Sequence, residues 1–148
     1  MTGTNHGMTG AVIALLVKEP VIAVPLSFAS HFMCDAIPHF GVGEAAIFQR
    51  RFNVILVADF LLAVSLMILL GTLFPSQRLV IWASMIAAAS PDLMWAYYDL
   101  YMNKIKHQKP RLGKIARFHL RIQKESYRGA FTEIAWFAAM GTIILFRK

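Results

Sequence analysis

Residues 52–74 read FNVILVADFLLAVSLMILLGTLF, an apolar run in which Asp59 is the only ionisable side chain. About 20 apolar residues suffice for one helix to cross the hydrocarbon core of a bilayer. The whole chain is also apolar, because 57% of its 148 residues are hydrophobic and 16% are charged, against about 25% charged in soluble domains. The run therefore predicts a membrane-spanning helix and an integral membrane protein.

Three further long apolar segments cover residues 20–40, 79–102 and 129–146. Within residues 79–102, Ser90, Pro91 and Asp92 are typical of a helix start, so we expect the helix there to break and restart. A shorter run at residues 7–17 cannot span a bilayer and is expected to be re-entrant or interfacial. The fold prediction is an all-α polytopic bundle of four spanning helices, forming a single domain over residues 1–148.

The basic residues concentrate in one segment, because nine of the fifteen Lys and Arg lie between residues 104 and 128. Within that segment Leu112, Ile115, His119 and Ile122 follow helical spacing. This pattern predicts a basic amphipathic helix in the headgroup region.

This distribution predicts location and partners. Lys and Arg are enriched in cytoplasmic loops, so we expect a multi-pass inner-membrane protein with residues 104–128 in the cytoplasm. Anionic phospholipid headgroups are the expected partner. Nucleic acid is not expected despite the net charge of +7, because the basic segment is flanked by apolar runs. The sequence leaves open whether copies of the chain associate.

Every aspartate of the chain lies inside an apolar segment. The predicted topology places Asp35, Asp59, Asp92, Asp99 and Glu133 within roughly 15 Å of the cytoplasmic face, at about 5.4 Å for each helical turn. A carboxylate in a spanning helix is costly and normally has a partner inside the protein. The negative charge of these carboxylates can be compensated by the basic loop, by protonation or by a bound cation.

Residues 29–41, ASHFMCDAIPHFG, favour the cation. His31, Asp35 and His39 are four residues apart, so the three side chains can share one helix face. Neutral imidazole and carboxylate are ligands of Zn²⁺, Mn²⁺ and Fe²⁺. Asp92, Asp99 or Asp59 can complete the ligand set, and His119 can reach it from the amphipathic helix. A proton relay or plain hydrogen-bonded pairing are the alternatives.

Three segments resemble the small bacterial membrane-bound metal-dependent hydrolases. They are NHGMTGAVIALL at residues 5–16, CDAIPH at residues 34–39 and SPDLMW at residues 90–95. The chain lacks the Pro-Asp-x-Asp-His motif of that family. The resemblance implies a bound metal ion, a hydrolytic activity and a ligand role for His6.

The function predicted from these features is metal-dependent hydrolysis of a lipid or lipid-linked phosphate or ester at the cytoplasmic leaflet, with Zn or Mn as the metal. Asp59, Glu133 and His119 are the predicted catalytic residues, and a carboxylate among them would accept the proton. Arg117 and Arg121 are predicted to bind the anionic headgroup. The alternatives are a non-enzymatic membrane subunit or anchor, and a cation or proton transporter.

Overall fold

The computed structural model describes residues 1–41, 50–98 and 111–147, and these residues are predominantly helical. The only β pairing among them is an isolated parallel bridge between His39 and Glu125. Short 3₁₀ turns lie at Pro75–Gln77, Ser90–Asp92 and Tyr127–Gly129. The α-helices of the described ranges are α1 Gly3–Val17, α2 Pro20–Asp35, α3 Arg50–Leu73, α4 Arg78–Ala89, α5 Leu93–Ala96, α6 Lys114–Ile122 and α7 Ala130–Leu145.

Helix α1 lies at the centre and packs against α2, α3, α4 and α7. Thr2 caps its start by accepting a hydrogen bond from the Asn5 amide, and Lys18 ends it in a left-handed conformation at φ 62°. Most of the side chains in α1 are buried. The interfacial position expected for this short segment is therefore wrong, because protein rather than headgroups covers the helix.

The two halves of α1 have different surroundings. From Met8 onward, with Val12 and Leu15, it forms the apolar core together with residues of α3, α4 and α7. Its N-terminal half carries the buried polar residues Asn5 and His6. The central helix thus places a polar cluster at one end of the bundle and an apolar core behind it.

Close packing of α1 on α4 depends on Gly10. A Cβ atom at this position would lie 2.4 Å from the backbone oxygen of Ser84 and 3.1 Å from Cβ of Ala88. No side chain larger than hydrogen fits there without moving a helix backbone.

Helix α3 is the candidate membrane span. Its residues Val54–Leu73 have a mean hydropathy of 2.7 in the most apolar 18-residue window, and only 11% of that window is buried by the rest of the protein. It is the one helix in the described part of the chain that is long and apolar enough to cross a membrane. Helices α2 and α7 have 16 residues each, about 24 Å at 1.5 Å per residue, so the described residues do not contain the expected four full-length spans.

Two local predictions are confirmed. Helix α4 ends at Ala89, and a 3₁₀ turn over Ser90–Asp92 separates it from α5. The amphipathic helix is α6, although its buried residues are Ala116 and His119. Ile115 of the predicted apolar stripe is instead 69% exposed. Residues 99–110, which include Asp99 and the first part of the basic segment, lie outside the described residues.

The contact between α1 and α4 can be tested with Gly10→Ala. Because the new methyl group would meet backbone atoms, we expect unfolding free energy to fall by about 1–3 kcal/mol, the usual cost of overpacking. Thermal unfolding in detergent measures the change. Gly7→Ala is the matched control, since its Cβ would lie 3.4 Å from the flexible end of Met85; equal losses for both variants would contradict the packing argument.

Candidate metal centre

The carboxylate of Asp35 is the centre of the polar cluster. Asp35 ends α2 and is fully buried. Its Oδ2 lies 2.6 Å from Nε2 of His119 and 3.3 Å from Nε2 of His31. Its Oδ1 lies 3.1 Å from Nε2 of His6 and also contacts the α-amine of Met1. Side chains from three helices therefore meet on one buried carboxylate.

Backbone carbonyls fix the orientation of two histidines in this cluster. Nδ1 of His31 lies 2.8 Å from the carbonyl oxygen of Ala88, and Nδ1 of His39 lies 2.8 Å from that of Ile37. A carbonyl only accepts, so Nδ1 carries the hydrogen and Nε2 of each neutral ring carries the lone pair.

Those lone pairs face a carboxylate that is also an acceptor. Nε2 of His39 is 3.9 Å from Oδ1 of Asp35, and Nε2 of His31 faces Oδ2. Two acceptors at such distances attract each other only if a proton or a metal ion lies between them. A backbone carbonyl on the other ring nitrogen is a common feature of metal-binding histidines.

Four side chains form a group that can hold a metal ion. They are His31, Asp35, Asp92 and His119, and one ligand atom from each lies within 4.8 Å of the others. Oδ1 of Asp92 is 3.7 Å from Nε2 of His31. The donor set of two imidazoles and two carboxylates suits a divalent transition metal.

Exposure is uneven within this group. The side chains of His31 and Asp35 are fully buried, and His119 is also buried, whereas the Asp92 side chain is 32% exposed. Asp92 is therefore the member of the group with the most exposed side chain.

A backbone pairing brings His119 to Asp35, which is 84 positions earlier. The Lys124 amide donates to the Asp35 carbonyl, the His39 amide donates to the Lys124 carbonyl, and the Ser126 amide donates to the His39 carbonyl. These hydrogen bonds join the end of α2 to the segment after α6. Gly129 allows the approach, because a Cβ there would lie 2.0 Å from the carbonyl carbon of His39.

Two further carboxylates hold the N-terminus of α1. Oxygens of Asp59 accept hydrogen bonds from the amides of Gly3 and Thr4, at 2.8 Å and 3.1 Å. The Thr2 amide donates to Glu133 at 3.0 Å, and the Asn5 side chain also donates to Glu133. Carboxylates at this position satisfy free helix amides and interact favourably with the helix dipole. They fix the turn that carries His6.

A cavity of about 320 Å³ lies beside this N-terminus, between α3 and α7. Asp59 and Glu133 line it together with polar residues of α1, and Leu62, Ile134 and Phe137 contribute apolar wall. The predicted acid–base roles of Asp59 and Glu133 stay predictions, and the contacts give both residues a structural role.

The ring of His6 is held beside the group. It stacks on His31 with centroids 3.9 Å apart, and its Nε2 is 3.9 Å from Oδ2 of Asp92. His6 lies in α1, outside the candidate span, and burial lowers the pKa of its imidazole to about 3. The ring is therefore neutral at physiological pH, the protonation state that binds metal.

The predicted site residues have distinct positions. His31, Asp35 and Asp92 are in the group of four, His6 and His39 contact Asp35 from outside it, and Asp99 lies outside the described residues. His119, predicted as catalytic, joins the group. Arg117 and Arg121 are exposed. Each is two positions from His119, about 200° around α6, so both project away from the group.

Thr2 and Asn5 are the site-supporting residues that sequence reasoning missed. Both lie in the polar stretch TGTNHG, residues 2–7, at the start of α1. The polarity of this stretch beside an apolar run was the sequence signal that could have indicated their role. No known protein family, curated protein or solved structure matches the chain. Function is therefore inferred from the residues of the chain and their geometry.

The capping role of Asp59 is tested by Asp59→Ala. Two amides at the start of α1 would lose their acceptors, so we expect unfolding free energy to fall by about 1–2 kcal/mol, the upper range for loss of a helix cap. Chemical or thermal unfolding in detergent measures it. Glu19→Ala is the control, because Glu19 precedes α2 without forming a side-chain cap; an unchanged stability of Asp59→Ala would contradict the role.

Proposed function

We propose that the protein is a membrane-embedded metal-dependent hydrolase that acts on a lipid or lipid-linked phosphate or ester. One observation carries the proposal: His31 and His39, each oriented by a backbone carbonyl, direct ring lone pairs at the fully buried carboxylate of Asp35. A bound cation accounts for this arrangement. The resemblance of the N-terminal segments to metal-dependent membrane hydrolases points to the same chemistry.

Zn²⁺ or Mn²⁺ is the proposed metal, held by His31, Asp35, Asp92 and His119. A divalent ion bound there supplies Lewis acidity toward a phosphoryl or carbonyl oxygen and makes water a better nucleophile. The two carboxylates balance its double charge. Gln123 orients Asp35 from outside, since its side-chain amide lies 3.4 Å from Oδ2.

Membrane embedding is supported by the exposed apolar surface. On α3, Phe60 is 63% and Leu61 is 58% exposed. Helices α2, α4 and α7 also carry strongly exposed apolar residues, such as Val21, Leu79 and Phe131. Surfaces of this extent are normally covered by lipid or by another protein. We propose that α3 spans the inner membrane and that α2, α4–α5 and α7 cross it as shorter segments, at which the bilayer is locally thinner.

Helix α6 is proposed to lie at the cytoplasmic surface. Its exposed face combines Ile115 and Phe118 with Arg117 and Arg121. Apolar side chains beside basic ones are typical of a helix in the headgroup layer. Because the arginines project away from the metal group, we assign them to anionic headgroups of the bilayer rather than to the reacting group.

The metal is tested by elemental analysis of the detergent-purified protein. We expect Zn or Mn in the wild type and at least a tenfold lower content in Asp35→Asn and His31→Ala, since even an indirect metal partner is worth about 10–100-fold in affinity. Release of phosphate or fatty acid from anionic lipids should fall in parallel. Ser27→Ala, in the same helix and equally buried, is the control and should keep its metal.

Different results would remove the proposal. A metal-free wild type that co-purifies with one soluble protein would favour a membrane anchor. Metal-dependent ion flux in liposomes without lipid hydrolysis would favour a transporter. Full lipid hydrolysis by Asp35→Asn would show that the buried cluster takes no part in catalysis.

The assignment of α6 is tested by Arg117→Gln and Arg121→Gln. A basic residue at an anionic surface contributes about 1 kcal/mol, so we expect KM for anionic lipid in mixed micelles to rise roughly fivefold per substitution. Metal content should not change. Arg147→Gln removes the same charge from the end of the chain after α7 and should leave KM unaltered; an equal effect there would indicate a nonspecific charge effect.

A further inference from the structure

We propose that the cluster binds two metal ions, with Asp35 and Asp92 bridging them. The first ion is the one held by the group of four. The second subsite consists of His6, His39, Oδ1 of Asp35 and Oδ2 of Asp92. This inference rests on the proposed function, because it extends the metal centre described there.

The two oxygens of Asp35 face different histidines. Oδ2 is directed at His119 and His31, at 2.6 Å and 3.3 Å from their Nε2 atoms. Oδ1 is directed at His6 and His39, at 3.1 Å and 3.9 Å. A carboxylate that serves a single ion commonly has its other oxygen hydrogen-bonded, but here the lone pair of His39 also faces Oδ1, and a hydrogen bond does not account for that. This division is the arrangement of a bridging carboxylate.

The two oxygens of Asp92 also face different histidines. Its Oδ1 is nearest to His31, at 3.7 Å from Nε2, while its Oδ2 is nearest to His6, at 3.9 Å from Nε2. The stacked rings of His6 and His31 thus present their Nε2 atoms to opposite oxygens of the same two carboxylates. Metal pairs in hydrolases, about 3.5–4 Å apart, stabilise both the attacking and the leaving oxygen.

The ring of His39 is oriented in the way that is common for a metal ligand. It is 1% exposed, and its Nδ1 donates to the Ile37 carbonyl at 2.8 Å, which leaves the Nε2 lone pair on the side of Asp35. Oδ1 of Asp35 lies 3.9 Å from that nitrogen. A packing role would not require the lone pair to face a negative charge.

The α-amine of Met1 also contacts Oδ1 of Asp35. Positive charge is therefore already placed on the side of the carboxylate assigned to the second ion. A protonated amine competes with that ion, so the second subsite is expected to bind more weakly than the first.

The experiment uses full-length protein that has been purified in detergent and treated with a chelator. Mn²⁺ is titrated into it, and binding is measured by isothermal titration calorimetry. The wild type should bind two ions with separable affinities, and a Mn²⁺ electron paramagnetic resonance spectrum should show magnetic coupling at full loading. His39→Ala and His6→Gln should each lose the weaker event and the coupling. Ser27→Ala should retain both.

The outcomes separate this inference from the function on which it rests. One ion per wild-type chain, without magnetic coupling, overturns the second subsite and leaves the single-metal hydrolase intact. If the wild type binds no ion, both the second subsite and the metal-dependent hydrolase are overturned. Two ions retained in both His39→Ala and His6→Gln would overturn the assignment of these ligands. Using two variants guards against misfolding of either one.

Discussion

The fold depends on one buried carboxylate. A carboxylate in a protein interior is costly unless it is paired, and Asp35, the last residue of α2, is fully buried. That cost is offset only if donors or cations converge on it. His6 of α1, His31 of α2 and His119 of α6 converge on Asp35, and the cation proposed between these rings and the carboxylate would offset the cost. Compensation of this charge therefore determines where three separate segments must meet.

The polar cluster occupies one end of the bundle, and this limits what the protein can do. Behind His6, α1 continues as Met8, Val12 and Leu15, which pack in an apolar core with residues such as Ile81. An ion path would need polar groups along the whole depth of the bundle. In the described residues the polar groups of α1 end with Thr9, about two turns from its C-terminus. This one-sidedness agrees better with chemistry at one membrane face than with transport.

Much of the site was accessible from sequence spacing, and the rest required long-range contacts. The i, i+4 relation of His31 and Asp35 follows from helix geometry, so that pair was predicted correctly as neighbours. Spacing gives no information about which helices adjoin. The capping of α1 by Asp59 and Glu133 was therefore missed. The central position of α1 was missed for a related reason, because segment length was compared with bilayer thickness and not with the protein that surrounds it.

The surroundings of the partly exposed Asp92 bear on the lipid substrate proposed above. Asp92 is the exposed member of the group, and its sequence neighbour Leu93 is 65% exposed. Beside His119, Phe118 is 54% exposed, and the ring of Trp95 lies 5.8 Å from that of His119. The residues beside Asp92 and His119 are thus largely apolar. Under the proposed function, a lipid would keep its chains on these apolar residues while its headgroup reaches Asp92, and a soluble substrate would gain little from them.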